Sequence, residues 1–287
     1  MNSLQFKEHQ LQQFCKVVGS NSKELTYIID NIDLYYREWS EKKIDKATGD
    51  FKRYKDGKVK ERVIRPPKHR LKEIQTRIKD RLLAPIALPH NIHGGVKRKS
   101  NITNAKPHKG HKCQFVTDAS NFYPSINNRQ VHRMLLNMKM TSHFANWTTK
   151  LTTWKGEVPQ GAPTSTHIAN LVFLETDMKL IELCSTHNLT YTRYIDDLTF
   201  SSQQDFKPML DEILGVVKTG GFKINYRKTE YGGRQLITGI YAGVNSLQAP
   251  KAIQDKAKLE VSQNASLKPY THYKNSIRKV DKTKMRN

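Results

Sequence analysis

Three carboxylates stand apart from the rest of this sequence. Asp118 closes the apolar run Phe115-Val116-Thr117, and Asp196-Asp197 lie inside the alternating stretch from Thr190 to Ser201. Two-metal chemistry on phosphates needs such a set. Its carboxylates hold two Mg2+ ions about 3.5–4 Å apart, one activating an attacking hydroxyl and the other steadying a leaving group. Mg2+ takes oxygen ligands and keeps positions open for substrate phosphates. An Asp-Asp pair alone is also ordinary turn chemistry. The background gives it weight: 49 Lys and Arg stand against 26 Asp and Glu, a net charge of +23. A surplus this large repels itself unless a polyanion binds, and nucleic acid offers a dense line of phosphates. Charge alone does not separate an enzyme from an RNA-binding protein.

Periodicity supplies the elements that must position these residues. The first 35 residues read as helical, with Leu4, Leu11, Phe14 and Val18 near helical spacing. Residues 41–62 are polar and basic, with turn points at Gly49 and Gly57, and read as a hairpin or mobile loop. A helix follows from Lys68 to Leu83, with Leu71, Ile74, Ile78 and Leu82 on one face and six basic residues around the rest, a solvated or a phosphate-facing surface. Phe115 to Asp118 reads as a strand, 128–153 and 167–183 as helices, and Thr190 to Ser201 as a hairpin with the Asp pair at its turn. Ile213 to Lys218 reads as helix, Phe222-Lys223-Ile224 as strand, and Leu236 to Val244 as a short strand pair; beyond Pro250 the chain is basic and weakly patterned. This order predicts an α+β domain with helices on one face of a sheet. No run of about 18 apolar residues occurs, the N-terminus lacks a signal peptide's apolar centre, and Cys15, Cys113 and Cys184 are scattered. The expectation is a cytoplasmic protein with no membrane partner.

Four segments then carry a resemblance to the reverse transcriptases. Tyr194-Ile195-Asp196-Asp197 resembles their Tyr-x-Asp-Asp hairpin, and Asp118-Ala119-Ser120-Asn121-Phe122-Tyr123-Pro124-Ser125-Ile126 resembles their first palm motif. Val158-Pro159-Gln160-Gly161-Ala162-Pro163 resembles the loop that contacts nucleotide and template, and Gly221 to Thr229 resembles a later palm motif ending in Lys-Thr. Arg62-Val63-Ile64 with Pro66-Pro67 and the following helix looks like the family's first block, so the resemblance covers about residues 60 to 245. Asn104-Ala105-Lys106-Pro107-His108 and Ile237-Thr238-Gly239 are similar to elements typical of bacterial retron enzymes. Thr166-His167 and Tyr123 depart from the commoner retron pattern, which has Ser-Pro-x and Phe there.

The resemblance implies a right-hand polymerase. Fingers would take 1–112 and 128–158, an antiparallel palm 113–127 and 159–245, and a small basic thumb 250–287. Asp118, Asp196 and Asp197 would bind two Mg2+ ions and catalyse DNA synthesis on RNA. Tyr123 would be the gate against ribose, or otherwise a core aromatic beside Phe122; Gln160 and Gly161 would lie near the nucleotide. Lys228 would assist the leaving pyrophosphate, or be a surface lysine, and Arg62 and Arg65 would clamp the triphosphate. Asn104 and His108 would bind RNA or brace the palm, and Lys268 and Arg278 would grip RNA, or the tail would be loosely ordered. Implied partners are dNTPs, a structured noncoding RNA serving as template and primer, its branched DNA product, and a separate effector protein in anti-phage defence. Rival readings are another defence-associated bacterial reverse transcriptase, a non-catalytic RNA-binding protein on the same fold, and a palm-domain nucleotide cyclase.

Overall fold

The structure is a computed structural model that describes residues 3–44, 49–54 and 56–283. In chain order its elements begin with helices α1 (Ser3–Val18) and α2 (Ser22–Asp30), strands β1 (Trp39–Lys42) and β2 (Glu61–Ile64), and helix α3 (His69–Ile78). Then come α4 (Asn101–Ala105), β3 (Cys113–Asp118), α5 (Phe122–Ser125), α6 (Asn128–Asn137), α7 (Ser142–Thr152) and α8 (Ser165–Thr186). Next are β4 (Thr190–Tyr194), β5 (Asp197–Ser202), α9 (Leu210–Thr219), β6 (Glu230–Gly232), β7 (Leu236–Ile237), β8 (Ile240–Ala242) and β9 (Leu247–Gln248), with α10 (Lys251–Ser262) and α11 (Pro269–Lys282) last. The chain divides into two compact units. One comprises Met1–Ile44, Phe51–Leu88 and Asn121–Leu174, the other Asp45–Asp50, Pro89–Ser120 and Glu175–Asn287.

In the first unit β1 and β2, at the two ends of the 41–62 stretch, pair antiparallel from Trp39↔Ile64 to Lys42↔Glu61, as a hairpin would; residues 45–48 and 55 of that stretch lie outside the described residues. The core gathers Phe14, Val18, Leu25, Ile28, Leu71, Ile74 and Ile78, all buried. Phe14 meets Phe144 edge-on at 5.1 Å. The helix after Pro67 departs from expectation at its end. Residues Lys79–Leu83 form a π-helical turn, and Ala84 N–H donates to the Lys79 carbonyl at 2.7 Å. The wider turn inserts one residue into the helical count, so Leu83 is buried where Leu82 was expected. Part of the basic face of this helix is turned to structural use. Arg70 donates to the Gly19 carbonyl, Arg77 to Val18 and Gly19, and Arg81 to Lys16 and Val17. These carbonyls are those a helix leaves unpaired at its C-terminus, here that of α1.

In the second unit four antiparallel strands run in the order β4-β5-β3-β6. One aromatic ring per strand crosses one face: Tyr191 lies opposite Phe200, Phe200 opposite Phe115, and Phe115 opposite Tyr231. The Tyr191 and Phe200 rings stack at 4.8 Å, the kind of cross-strand pairing that fixes register. Alternation puts Asp118 and Asp197 on the opposite face. A second antiparallel sheet, β7-β8-β9, packs Ile237, Ile240, Ala242 and Leu247 against Ile102, Ala105 and Ile277. The expected strand at Phe222-Lys223-Ile224 is a single bridge, Ala119↔Ile224. The chain there crosses the end of β3, turns through Tyr226–Lys228, and pairs only from Glu230. Between Lys251 and Lys282 the chain forms two helices and not a loose tail. Glu260 of α10 accepts from the N–H groups of Tyr270 and Thr271, so it caps α11 from outside.

Candidate active site

The second unit brings Asp118, Asp196 and Asp197 together, with one carboxylate oxygen from each within 4.8 Å of the others. Register does most of this. Asp118, the last residue of β3, lies opposite Asp197, the first of β5. Tyr194 also pairs with Asp197, which leaves Ile195 and Asp196 as a two-residue hairpin loop. Ala119 N–H donates to the Asp196 carbonyl at 2.9 Å and ties the loop to the end of β3. Ile195 has φ +61°, and Asp196 stays at negative φ. A first loop residue at positive φ is the pattern of a type II′ turn, a place for glycine. A β-branched residue there carries strain of about 1–3 kcal/mol, as strained residues at functional sites do.

Asp118 is buried and both its oxygens are engaged: Asn225 Nδ2 donates to Oδ1 at 2.9 Å and Lys228 Nζ to Oδ2 at 2.5 Å. Burial pulls the Lys228 ammonium down, but the Asp118 hydrogen bond and the three aspartates outweigh it and hold its pKa above the usual lysine value. Burial, then the charge of Asp118, pushes Asp196 up to about 6. Burial, then the charge of Asp196, pushes Asp197 up to about 7. Carboxylates crowded this way hold protons that a cation could replace. The donor set is all oxygen, which fits Mg2+.

The Gly221 to Thr229 motif contains Asn225, three residues before Lys228, but its sequence assigned that residue no role. The Asn225 side chain and backbone N–H both reach Asp118. The motifs missed Asp177, whose buried carboxylate pairs with buried Arg193. The available signal was a charge at an inward position on a strand and another amid the apolar positions of α8. Gly94 presses on the loop from below: a Cβ there would stand 2.3 Å from the Ile195 nitrogen.

In the first unit, Phe122 is the core aromatic and Tyr123 is half-buried. The Tyr123 hydroxyl hydrogen-bonds the Thr166 hydroxyl at 3.1 Å, so the two departures from the commoner pattern meet. The Gln160 carbonyl accepts from Arg65 N–H at 2.7 Å, and Gly161 sits at φ +103° with Ile64 3.1 Å from where a Cβ would stand. Arg65 does not offer a free guanidinium to a triphosphate: it pairs with Glu38 and Glu157 and lies over Trp154. Arg62 pairs with Glu41 at an exposed position that solvent screens.

For Asn104 and His108 in the second unit, contact with RNA is corrected. Both side chains are fully buried. His108 bridges the hydroxyls of Ser201 and Thr192 at 2.6 and 2.7 Å, and burial lowers its pKa to about 3, so it is neutral. The Asn104 amide reaches the Thr238 hydroxyl, and Asn101 donates to the Thr238 carbonyl, so the two retron-like elements touch each other. Lys268 is half-exposed before α11, and Arg278 is exposed on it. Among the described residues, no helix is long and apolar enough to cross a membrane.

Residues 46–249 match the family described as Reverse transcriptase (RNA-dependent DNA polymerase). The retron Se72 reverse transcriptase of Salmonella heidelberg (strain 579083-10) is 31% identical over 76% of this chain and 56% of its own length. The retron Mx65 reverse transcriptase of Myxococcus xanthus is 31% identical over 62% of this chain and 47% of its own. The chain thus spans about half the length of these two relatives. Among solved structures, Candida albicans telomerase in complex with a telomeric RNA fragment aligns over 72% of this chain and 49% of its own, at 9% identity and a TM-score of 0.46. Matched over most of its length by that family, and with retron enzymes as its curated relatives, the chain belongs to the reverse transcriptases and is of the bacterial retron type.

Proposed function

We propose that this chain is an RNA-directed DNA polymerase of a retron. The observation that supports it most is the convergence of Asp118, Asp196 and Asp197 in a chain of net charge +23. These three would hold two Mg2+ ions, which when bound polarise the attacking hydroxyl and steady the leaving pyrophosphate. The reaction joins a primer hydroxyl oxygen to the α-phosphorus of a dNTP and breaks the bond to pyrophosphate. Lys228 stays protonated and pairs with the Asp118 carboxylate. Asn225 fixes the direction of the same carboxylate. Tyr123 stands five residues beyond Asp118 and excludes ribose; Gln160 and Gly161 offer an amide and bare backbone to the nucleotide. Arg62 can leave its exposed partner for a phosphate.

The right-hand division, with fingers at 1–112 and 128–158, palm at 113–127 and 159–245 and a thumb from 250, belongs to this proposal. So do the cytoplasm as its place, a structured noncoding RNA as template and primer, a branched RNA–DNA product, and an anti-phage role with a separate effector. The exposed cations around Lys268 and Arg278 suit RNA phosphates. Asp197→Asn tests the core of it. Incorporation of dNTP on a primed RNA should vanish while melting temperature and RNA binding persist; full incorporation would remove the two-metal assignment.

A further inference from the structure

Arg193 and Asp177 form a wholly buried ion pair. Arg193 Nε and Nη2 donate to the two oxygens of Asp177 at 2.8 and 2.6 Å, and the Tyr191 hydroxyl donates to the same carboxylate at 2.7 Å. Desolvating two charges is costly, and apolar side chains of similar volume often replace such a pair without loss of stability. Stability therefore does not account for it. Apolar side chains cannot supply the donor that Arg193 directs outside the pair: Nη1 reaches the Ile195 carbonyl at 2.8 Å. Ile195 is the residue at φ +61° immediately before Asp196.

The strand that carries Arg193 is itself held. Its N–H donates to the Asn91 carbonyl at 2.9 Å, its carbonyl accepts from His93 N–H at 2.8 Å, and Asn91 Nδ2 donates to the Tyr191 carbonyl. Gly94 continues that segment under the Ile195 nitrogen. The strained loop is thus gripped on both sides of one residue, by Gly94 at the nitrogen of Ile195 and by Arg193 at its carbonyl. We propose that Arg193, oriented by Asp177, is a positioning residue that holds the Ile195 carbonyl and so aims Asp196 and Asp197 at Asp118. This rests on the two-metal reading above and adds a part that the three aspartates need.

The test replaces the whole network at once: Arg193→Met, Asp177→Leu and Tyr191→Phe in one chain, which leaves neither buried charge without its partner and removes the donor to the half-buried Ile195 carbonyl. Melting temperature, Mn2+ binding by calorimetry, and kcat and KM for dNTP on a primed RNA are measured. The expected variant melts near wild type and binds RNA and dNTP with unchanged RNA affinity and KM. Its Mn2+ affinity falls about tenfold or more and its kcat about 10²-fold, the scale of loss that a misplacement of about 1 Å gives. A folded variant with wild-type Mn2+ affinity and kcat would overturn the proposal. Should the triple variant not fold, Arg193→Lys carries the same measurements, because one ammonium cannot reproduce the fork that serves Asp177 and Ile195 together. If the wild type bound Mn2+ but made no DNA, the polymerase reading would fail, and the Mn2+ comparison would still decide the positioning role.

Discussion

Asp196 and Asp197 share their protons as a coupled pair, so the site titrates in steps that belong to both. With pKa values raised to about 6 and about 7, ionisation opposes folding. The native state binds more of these protons than the unfolded chain between about pH 4 and pH 7, so stability from this pair declines as pH rises through that window. Metal-free protein should therefore gain more in melting temperature from Mg2+ at about pH 8 than at about pH 5.5, where protons already fill the site. An equal gain at both would separate the carboxylates from the metal. Tyr123→Ala should raise ribonucleotide incorporation relative to deoxynucleotide, because the discrimination is steric and appears in the ratio of efficiencies. Tyr123→Phe loses the Thr166 hydrogen bond but keeps the ring, and should keep the ratio. If the residue were only core packing, Ala would instead cost about 3–5 kcal/mol with the ratio unchanged. Insertion of dNTP and rNTP on one RNA template, read with the melting temperature, distinguishes the two.

Elements were legible where one periodicity covered a whole segment. The 190–201 hairpin follows from alternation and the strand ending at Asp118 from its short run Phe115-Val116-Thr117, and they hold the three aspartates. The π-helical turn after Ile78 was not legible, since nothing in Lys79 to Leu83 marks an extra residue. It makes a sharp contrast: Leu83→Ala should cost about 2–5 kcal/mol, and Leu82→Ala well under about 1.5. Urea unfolding of both variants measures this, and a larger loss at Leu82 would mean the helix does not slip. Helix α11 hid its pattern differently. Its packed positions are Tyr273, Ile277 and Val280, a helical spacing obscured by a tyrosine serving as an apolar group and by five basic residues between Lys274 and Lys282 and at His272. Residues 222–224 misled because their types suit a strand, whereas the chain there crosses the end of β3 and brings Asn225 onto Asp118. Of the site residues, the three aspartates were named from their motifs; the part of Asn225, inside the same later motif as Lys228, and the parts of Asp177 and Gly94 come from geometry that distant segments create.

At the scale of the whole molecule, +23 overstates what faces solvent as free cation. Arg70, Arg77, Arg81 and Lys106 donate to backbone carbonyls, and Arg193 is sealed inside. The cations of α11 are better placed for phosphates. RNA affinity should fall steeply with salt, and replacing Arg278, Lys279 and Lys282 together by Gln should lower the slope of log affinity against log salt by roughly 2, at about 0.7 per lost single-strand phosphate contact. An unchanged slope would move the RNA surface away from this helix. The arginines of the Lys68–Leu83 stretch have a different consequence, one of editing the chain. Since they close the end of α1, and Phe14 is seated among Phe144 and Trp147, residues 3–19 are not an appendage to be trimmed for expression or swapped for a tag. Cutting them away would take from three guanidinium groups the carbonyls they bind and uncover an aromatic nest. Fusion partners belong ahead of Ser3, with the helix left whole.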